Sequence, residues 1–346
     1  MAPSGGGRTG ARGYPWPVRA LVTGGHGFVG SHVVELLLAR GRRVRCLHRR
    51  EGTPAVLRDL EVEIASGDVR DSVALAAALD GVDEVYHLAA LTRSRTRREM
   101  LETNVEGTRR LLAAARDARL PGRFLFCSSL AAAGPAREGR PLVEADPCRP
   151  ITWYGESKWL GEEAVRGAAS DLAVTIVRPP AVYGPRDRDF LAVFQAAARG
   201  FLPVLGTGRS RLHFVYVADL AEAIVQAAEA AATHGRTYFA THEEILTTEA
   251  FGRHVADAVG RTVRTIRVPR TTLALVARLG ELAGQVTGRA PLLNGQRLKD
   301  LEAPAWLCSA AALRRDTAWR PGVGVADGTR RTALWYREHG QLGRAR

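Results

Sequence analysis

A glycine-rich turn, TGGHGFVG at residues 23–30, is the feature that most restricts how this chain can fold. It follows VRALVT (18–23), which is typical of a strand, and it opens FVGSHVVELLLAR (28–40), which is typical of a helix. The turn matches both GxGxxG and TGxxGxxG. In this context a Cβ atom would obstruct the turn and the approach of a pyrophosphate, so the motif predicts a dinucleotide site at a helix amino terminus. The candidate contacts in this turn are Gly24, Gly27, Phe28, Val29 and Gly30.

Strand-like and helix-like segments alternate through the first half of the chain. Further strand-like runs occupy residues 43–48, 62–68, 83–90, 123–129 and 173–179. Strands that alternate with helices of this length predict βαβ units with right-handed crossovers. The expected fold class is therefore α/β: a Rossmann-type doubly wound parallel sheet with a smaller, mostly helical C-terminal substrate domain.

The same pattern divides the chain into parts. We expect a disordered tail at 1–17, a nucleotide-binding domain at 18–180 with return elements near 213–240, and a substrate-binding part made of 181–212 and 241–340. The strand-like runs in the return region either join the main sheet or lie beside it. The most apolar helical segment, TTLALVARLGELAGQV (271–286), is expected in the core, with contact to a membrane surface as the alternative.

Composition narrows the classes of partner. The net charge is +13, but arginines are scattered among acidic residues, which favours a solvated surface over nucleic-acid binding. No apolar run reaches the length of a membrane span. The four cysteines, Cys46, Cys127, Cys148 and Cys308, form no CxxC pair and no metal-ligand spacing. We therefore expect a cytoplasmic protein with reduced thiols, no metal site and no integral membrane span.

The end of the second strand bears on which dinucleotide is bound. An acidic residue there usually bonds the ribose 2′-hydroxyl of NAD, whereas this chain has His48, Arg49 and Arg50. Arginine can pair with a phosphate, so NADP is favoured over NAD; the alternative is that these are surface arginines only. Asp68 and Val69, at the end of the third strand, are expected beside the adenine.

The segment YGESK contains one of only two lysines in the chain, Lys158 and Lys299. Tyr154 and Lys158 are four residues apart and share one face of a helix. An ammonium close to the phenol would lower its pKa and let it exchange a proton with a substrate oxygen. The lysine would also hydrogen-bond the nicotinamide ribose, a double task that suits its rotatable donors.

These motifs occur together in one order: TGGHGFVG, GDVRD, HLAA, TNVEGT, FCSS, YGESK, RPPAVYGP and FVYVADLAEAI. Over residues 18–340 the chain resembles the extended short-chain dehydrogenases/reductases, which include nucleotide-sugar epimerases and dehydratases. Its nearest likeness is to 3β-hydroxysteroid dehydrogenase-like and dihydroflavonol reductase-like members. The resemblance implies a small-molecule substrate and a hydride transfer between NAD(P) and a carbon that bears a secondary alcohol or ketone. A homodimer through paired helices is implied in the same way.

The resemblance also implies roles for individual residues. Tyr154 matches the acid/base, Lys158 its partner, and Ser129 (or the adjacent Ser128) the hydroxyl that bonds the reacting oxygen. Asn104 matches an asparagine that supports the site, and His87 a structural or cofactor-side histidine. The remaining residues expected in the cofactor cleft are Leu88, Ala89, Ala90, Pro180 and Val182.

Two departures from the sequence pattern of the nucleotide-sugar members bear on the identity of the substrate. Ala133 stands where many sugar epimerases have tyrosine, and no asparagine follows YGP to hold a substrate diphosphate. Both count against a nucleotide sugar. The likeness of PPAVYGPRDRDF and of the C-terminal APAWLCSAAALRRDTAWRP to the 3β-hydroxysteroid dehydrogenase-like and dihydroflavonol reductase-like branches implies instead a small hydrophobic substrate, selected by 130–133, 182–188 and the C-terminal helices. The alternatives are an epimerase or dehydratase that retains NAD, and a non-catalytic NAD(P)-sensing protein. The arginines of LTRSRTRREM (91–100) are expected to be solvated, or else to hold an anionic substrate group.

Overall fold

A parallel sheet of seven strands forms the centre of the structure, a computed structural model that describes residues 18–137, 140–205, 208–287, 291 and 293–343. The strands are β1 (Arg19–Thr23), β2 (Arg43–His48), β3 (Val62–Ser66), β4 (Glu84–His87), β5 (Arg123–Cys127), β6 (Ala173–Arg178), β7 (Ala181–Tyr183), β8 (Phe201–Leu205), β9 (Arg211–Tyr216), β10 (Arg236–Phe239), β11 (Ile245–Thr247), β12 (Arg264–Val268) and β13 (Ala305–Trp306). The main sheet runs β10-β6-β5-β4-β1-β2-β3, and its neighbouring strands are all parallel. The predicted Rossmann-type fold is confirmed.

Helices cover both faces of this sheet. They are α1 (Phe28–Ala39), α2 (Ser72–Leu79), α3 (Arg97–Leu101), α4 (Gly107–Asp117), α5 (Leu130–Ala133), α6 (Trp153–Arg166), α7 (Leu191–Ala198), α8 (Val217–Glu229), α9 (Thr248–Val259), α10 (Arg270–Thr287), α11 (Gly295–Glu302), α12 (Ala311–Asp316) and α13 (Val325–Glu338). α1 and α8 pack on one face, and α2, α4 and α6 on the other. Because both faces are covered, a strand such as β5 is buried at every residue, as expected of a parallel sheet.

The order of the strands fixes where a ligand can bind. β1 and β4 are neighbours in space, and the chain winds outward from them in both directions. In open α/β sheets, the crevice beyond the carboxyl ends of the strands at such a reversal is the usual ligand site. The ends of β1, β2, β4, β5 and β6 therefore carry the residues of greatest interest.

The return region separates into two parts. β10 joins the main sheet beside β6, and α8 packs against α1. β9 instead pairs with β7, β11 and β13 in a smaller sheet. An aromatic cluster fills the core next to that sheet, with the rings of Phe214 and Phe251 stacked at 4.2 Å. The assignment of this smaller part to substrate binding stays a prediction.

The expectation that the apolar helix would be a core element was wrong. The segment is helical, as α10, but Leu275, Leu279 and Leu282 are more than half exposed. Its inward face is formed by small residues such as Ala277, which let the helix approach α11 but bury little of its apolar surface. Over the described ranges, none of the helices has the length and apolar character needed to cross a bilayer.

Candidate active site

The glycine-rich turn lies at the carboxyl end of β1, where steric limits account for its glycines. Gly24 has φ +74°, and a Cβ there would lie 2.7 Å from the backbone nitrogen of Ala89. A Cβ on Gly30 would lie 2.1 Å from the carbonyl oxygen of Gly24. Leu88, which follows β4, donates its N–H to the Thr23 carbonyl at 3.0 Å. The turn and the end of β4 therefore lie together.

The amino terminus of α1 has the features of a phosphate site. Gly27 is its N-cap residue, no side chain caps the helix, and the first turn contains no acidic residue. The backbone N–H groups near Phe28 and Val29 and the positive end of the helix dipole therefore have no competing side-chain anion. A Cβ on Gly27 would meet only the Gly24 carbonyl, at 3.1 Å, so the space beside it is otherwise open. These residues fit a dinucleotide pyrophosphate.

Basic groups collect where the adenosine ribose would lie. The rings of His26 and His48 meet edge to face at 4.6 Å, and Arg49 and Arg50 are exposed beside them. The pKa of His26 is lowered by burial first and then by His48, Arg49 and Arg50. Sequence reasoning missed His26, although its position within the glycine motif could have indicated it. This group of basic side chains is suited to binding an anion.

Asp68 and Val69 lie at the end of β3, as expected. Asp68 is paired with Arg70 at 2.9 Å, and this hydrogen bond lowers the pKa of its carboxyl. Val69 is buried against Gly107, where a Cβ would approach the valine side chain to 2.8 Å. The contact explains the glycine at the start of α4.

His87 is a structural residue in this arrangement. Its two ring nitrogens lie 2.7 Å from the Thr23 hydroxyl and 2.8 Å from the Thr108 hydroxyl. Complete burial and the nearby Lys158 ammonium lower its pKa to about 3. The ring is therefore neutral at physiological pH, and it links the end of β1 to α4 behind the site.

This burial predicts a pH dependence of stability. Unfolding returns His87 to an ordinary pKa of 6.5, from about 3 in the fold, so the unfolded state takes up more protons in that interval. The contribution of the neutral His87 ring to the free energy of unfolding is at its full value above pH 6.5, and it decreases as the pH drops towards 3. His213, with a pKa lowered to about 4, acts in the same direction. We expect a slope of about 1 kcal/mol per pH unit from each histidine.

The measurement is the free energy of unfolding in urea across that pH interval. His213→Gln should make the slope shallower, whereas the same change at exposed His234 should leave it unaltered. Burial raises the carboxyl pKa of both Asp187 and Asp300 to about 6, and these carboxyls contribute slopes of the opposite sign. The decisive quantity is therefore the difference between His213→Gln and the unaltered protein, and an identical slope in the two would contradict this account of the buried histidines.

Tyr154 and Ser129 meet in front of the sheet. Thr152 caps α6 by accepting the Gly155 N–H at 3.2 Å, which places Tyr154 in the first turn. Ser129 follows β5 and caps α5, and its hydroxyl lowers the pKa of the neighbouring Tyr154 phenol. Burial has the larger effect and raises the tyrosine pKa well above its ordinary value. Cys127, Asp300 and Asp189 raise it further.

Lys158 is 3 % exposed and lies one turn further along α6. Its Nζ donates to the Cys127 carbonyl at 2.6 Å and stands 4.7 Å from the centre of the Phe126 ring. Burial lowers the lysine pKa. The expected lowering of the Tyr154 pKa by this ammonium is therefore not found, because desolvation of the phenol dominates and the ammonium bonds a carbonyl. In this arrangement the phenol is neutral, which suits a proton donor.

Asn104 supports the site from a π-helical turn, Glu102–Glu106, that joins α3 to α4. Its amide bonds both backbone groups of Leu91 and donates to the Ser157 hydroxyl at 2.9 Å. Ser157 in turn donates to the Tyr154 carbonyl at 2.8 Å. Asn104 thus links the loop after β4 to the tyrosine-bearing turn.

Ser128 does not share the place of Ser129. Its hydroxyl donates to Glu162 at 2.5 Å, and Glu162 also accepts two hydrogen bonds from Arg178 at 2.8 and 2.5 Å. Glu162 is fully buried and Arg178 nearly so. This buried ion pair, unforeseen from the sequence, joins α6 to the ends of β5 and β6. It holds the helix that carries Tyr154 and Lys158.

The remaining predicted residues surround this centre. Ala90 lies in the loop after β4, Pro180 is buried between β6 and β7, and Val182 lies in β7. The residues at 130–133 form α5, where Ala133 is buried. Two arginines of the 91–100 segment pair with carboxylates, Arg93 with Asp189 at 3.3 Å and Arg97 with Glu156. These pairs agree with the expected solvated face.

The C-terminal helix α11 also reaches the site. Gln296 accepts the backbone N–H of Trp153 at 3.0 Å. Asp300 has one carboxylate oxygen that is buried without a hydrogen-bond partner among the described residues, and burial raises its pKa to about 6. No sequence motif indicated either residue, because both come from the distant end of the chain.

The chain is similar in sequence and in fold to known proteins. The model of the NAD dependent epimerase/dehydratase family matches residues 20–240. The chain is 33% identical over 323 residues to a "Ceramide reductase" of Caulobacter vibrioides, covering 93% of this chain and 95% of that one. It is 29% identical over 326 residues to a Mycobacterium tuberculosis "3 beta-hydroxysteroid dehydrogenase/Delta 5-->4-isomerase", covering 88% and 86%. A crystal structure of dTDP-glucose 4,6-dehydratase from Streptomyces venezuelae with bound NAD superposes with TM-score 0.76 at 26% identity, covering 93% and 97%.

The chain therefore belongs to the NAD dependent epimerase/dehydratase family, and it is an oxidoreductase of the extended short-chain dehydrogenase/reductase type. Its relatives include proteins named as reductases and dehydrogenases, among them sterol-related ones. The predicted family, fold and enzyme class are confirmed.

Proposed function

We propose that this protein is an NADP-dependent ketone reductase or alcohol dehydrogenase that acts on a small hydrophobic substrate and favours reduction. The observation that carries the proposal is the pairing of Ser129 with Tyr154, whose pKa is raised by burial. A neutral phenol holds the proton that a carbonyl oxygen needs when it becomes an alcohol. Lys158, one helical turn from Tyr154, completes the proposed catalytic group.

Each residue has a distinct task in this proposal. The Tyr154 hydroxyl donates its proton to the carbonyl oxygen, and the Ser129 hydroxyl donates a hydrogen bond to the same oxygen. When bound, the reduced nicotinamide supplies the hydride to the carbonyl carbon. Lys158 binds the nicotinamide ribose. The proposed dinucleotide contacts are Gly24, Gly27, Phe28, Val29, Gly30, His48, Arg49, Asp68, Val69, Leu88, Ala89, Ala90, Asn104, Tyr154, Lys158, Pro180 and Val182.

The hydrophobic character of the substrate has two supports. Ala133 and the lack of an asparagine after YGP disfavour a sugar nucleotide. The relatives quoted above include proteins named for ceramide and steroid substrates. The second candidate is an epimerase or dehydratase that retains NAD, because the dehydratase of similar structure has NAD bound.

The released nucleotide distinguishes these two candidates. Protein purified without added cofactor is denatured, and any released nucleotide is identified by mass. We expect an empty protein that then binds NADPH. NAD retained at nearly one equivalent would favour the epimerase.

The preference for NADP makes a prediction about Arg49. Arg49→Glu should weaken NADPH binding by about tenfold or more and leave NADH binding nearly unchanged, because it replaces a phosphate partner with a like charge. Fluorescence titration with the two reduced cofactors is the measurement. Arg43→Glu is the matched control, since Arg43 is exposed at the opposite end of β2. Equal losses for both cofactors would contradict the preference.

Three wider expectations belong to the same proposal. The smaller sheet and the C-terminal helices bind the substrate. Two copies pair through α6 and its neighbours, which light scattering would test. The protein acts in the cytoplasm, where its four cysteines, all free in the structure, would stay reduced.

A further inference from the structure

The outward face of α10 exposes large apolar side chains. Leu275, Val276, Leu279 and Leu282 are 59, 49, 57 and 55 % exposed. Their spacing places them on one side of the helix, whereas Ala277 is buried on the other side. We call these four residues the α10 apolar face. A contiguous apolar face of this kind marks a contact surface more often than a single exposed leucine does.

The charge around this face is positive. Residues 264–302 contain seven basic and three acidic residues. All three acidic side chains already have partners: Glu302 pairs with Arg270, Glu281 accepts the Gly295 N–H, and Asp300 lies 3.9 Å from Arg297. Arg278 is exposed on α10 itself, and Arg264 and Arg267 are exposed on β12, the strand that precedes α10 in the chain. Apolar side chains flanked by basic ones are the pattern of a helix that lies in the interface of an anionic bilayer.

The position of α10 connects this face with the catalytic centre. α10 packs on α11, and α11 bonds the first turn of α6 through Gln296. Asp300 of α11 acts on the pKa of Tyr154. The two helices therefore form one layer, with the site on one side and the α10 apolar face on the other.

We propose that the α10 apolar face docks on an anionic lipid bilayer and that the substrate enters the site from that bilayer. A second copy of the chain is the less suitable occupant, because pairing two such faces would bring two positively charged surfaces together. The lipid surface offers both apolar contact and opposite charge. Only the substrate route rests on the proposed function; the docking stands on exposure and charge.

The experiment is co-sedimentation of the full chain with vesicles. Mixed phosphatidylglycerol–phosphatidylcholine vesicles should bind it, pure phosphatidylcholine vesicles should bind it at least about tenfold more weakly, and added salt should weaken binding to the former. The double variant Leu275→Glu/Leu279→Glu should lose at least about tenfold in affinity for the anionic vesicles. Val73→Glu is the matched control, because Val73 is 81 % exposed on α2, in the main-sheet domain. NADPH affinity, measured in each variant, reports correct folding.

Several results would overturn the docking proposal. The first is that the unaltered protein does not bind anionic vesicles. The second is that Val73→Glu loses as much affinity for these vesicles as the double variant does. The third is a concentration-dependent dimer, seen in light scattering, that the double variant abolishes. If the docking holds but no ketone is reduced, the proposed function fails and the docking does not. If a ketone dispersed in detergent is reduced but the protein does not bind vesicles, the docking proposal fails and the proposed function does not.

Discussion

Tyr154→Phe is expected to lower kcat for ketone reduction by about 10³-fold and to change NADPH affinity by less than about threefold. The substitution removes only the phenolic oxygen, so the ring still fills its place at the start of α6. Ser129 keeps its hydroxyl but has no proton donor beside it. The rate of NADPH consumption with a hydrophobic ketone measures kcat, and fluorescence titration measures the affinity.

A second tyrosine supplies the control for this experiment. Tyr238 lies in β10, and its hydroxyl donates to Asp316 at 2.8 Å. Tyr238→Phe removes the same atom at a place with no part in the proposed chemistry, so turnover should remain within about threefold of the unaltered protein. Turnover of Tyr154→Phe at a comparable level would contradict the proton transfer assigned to that residue.

Glu162→Ala is expected to lower the free energy of unfolding by about 3–5 kcal/mol. Glu162 is fully buried, and its removal leaves the guanidinium of Arg178, which is 2 % exposed, without its carboxylate. It also leaves the Ser128 hydroxyl without an acceptor. Loss of this ion pair would loosen α6 against β5 and β6, so NADPH affinity should fall as well. Urea unfolding, followed by far-ultraviolet circular dichroism, is the measurement.

A neighbour on the same helix gives the control. Glu163 is exposed and pairs with Arg166, so Glu163→Ala should cost less than about 1 kcal/mol. The double change Glu162→Leu/Arg178→Met removes both charges and should recover much of the loss, because no uncompensated charge stays buried. If Glu162→Ala were no more destabilising than Glu163→Ala, the ion pair would not have the proposed structural role.

The parts of the fold that the sequence predicted depend on local rules. The glycine turn was predictable because φ +74° at Gly24 and the closeness of Ala89 exclude a side chain there. The main-sheet strands were predictable because short β-branched or apolar runs alternate with helical patterns along the chain. Tyr154 and Lys158 share a helix face because of their spacing alone. Each inference needed only a short segment and its neighbours.

The parts that were missed depend on contacts between distant segments. Burial raises the Tyr154 pKa, and the charge of Asp300, which is remote in the sequence, adds to the rise. Glu162 and Arg178 meet only because α6 packs over β6. The apolar composition of α10 suggested a core helix. Its exposure depends on which other segments pack against it, and the sequence of α10 alone does not show that one of its faces is left uncovered. His26 was overlooked because the motif draws attention to its glycines.

The most direct test of the proposed function is the transfer of an isotopic label. The protein is mixed with a hydrophobic ketone and NADPH that carries deuterium at the transferable position of the nicotinamide, and the product is analysed by mass and by nuclear magnetic resonance. We predict deuterium on the new carbinol carbon, with one oxidised cofactor released for each alcohol formed. Unlabelled product, or isomerised sugar nucleotide formed with no net consumption of cofactor, would contradict the account.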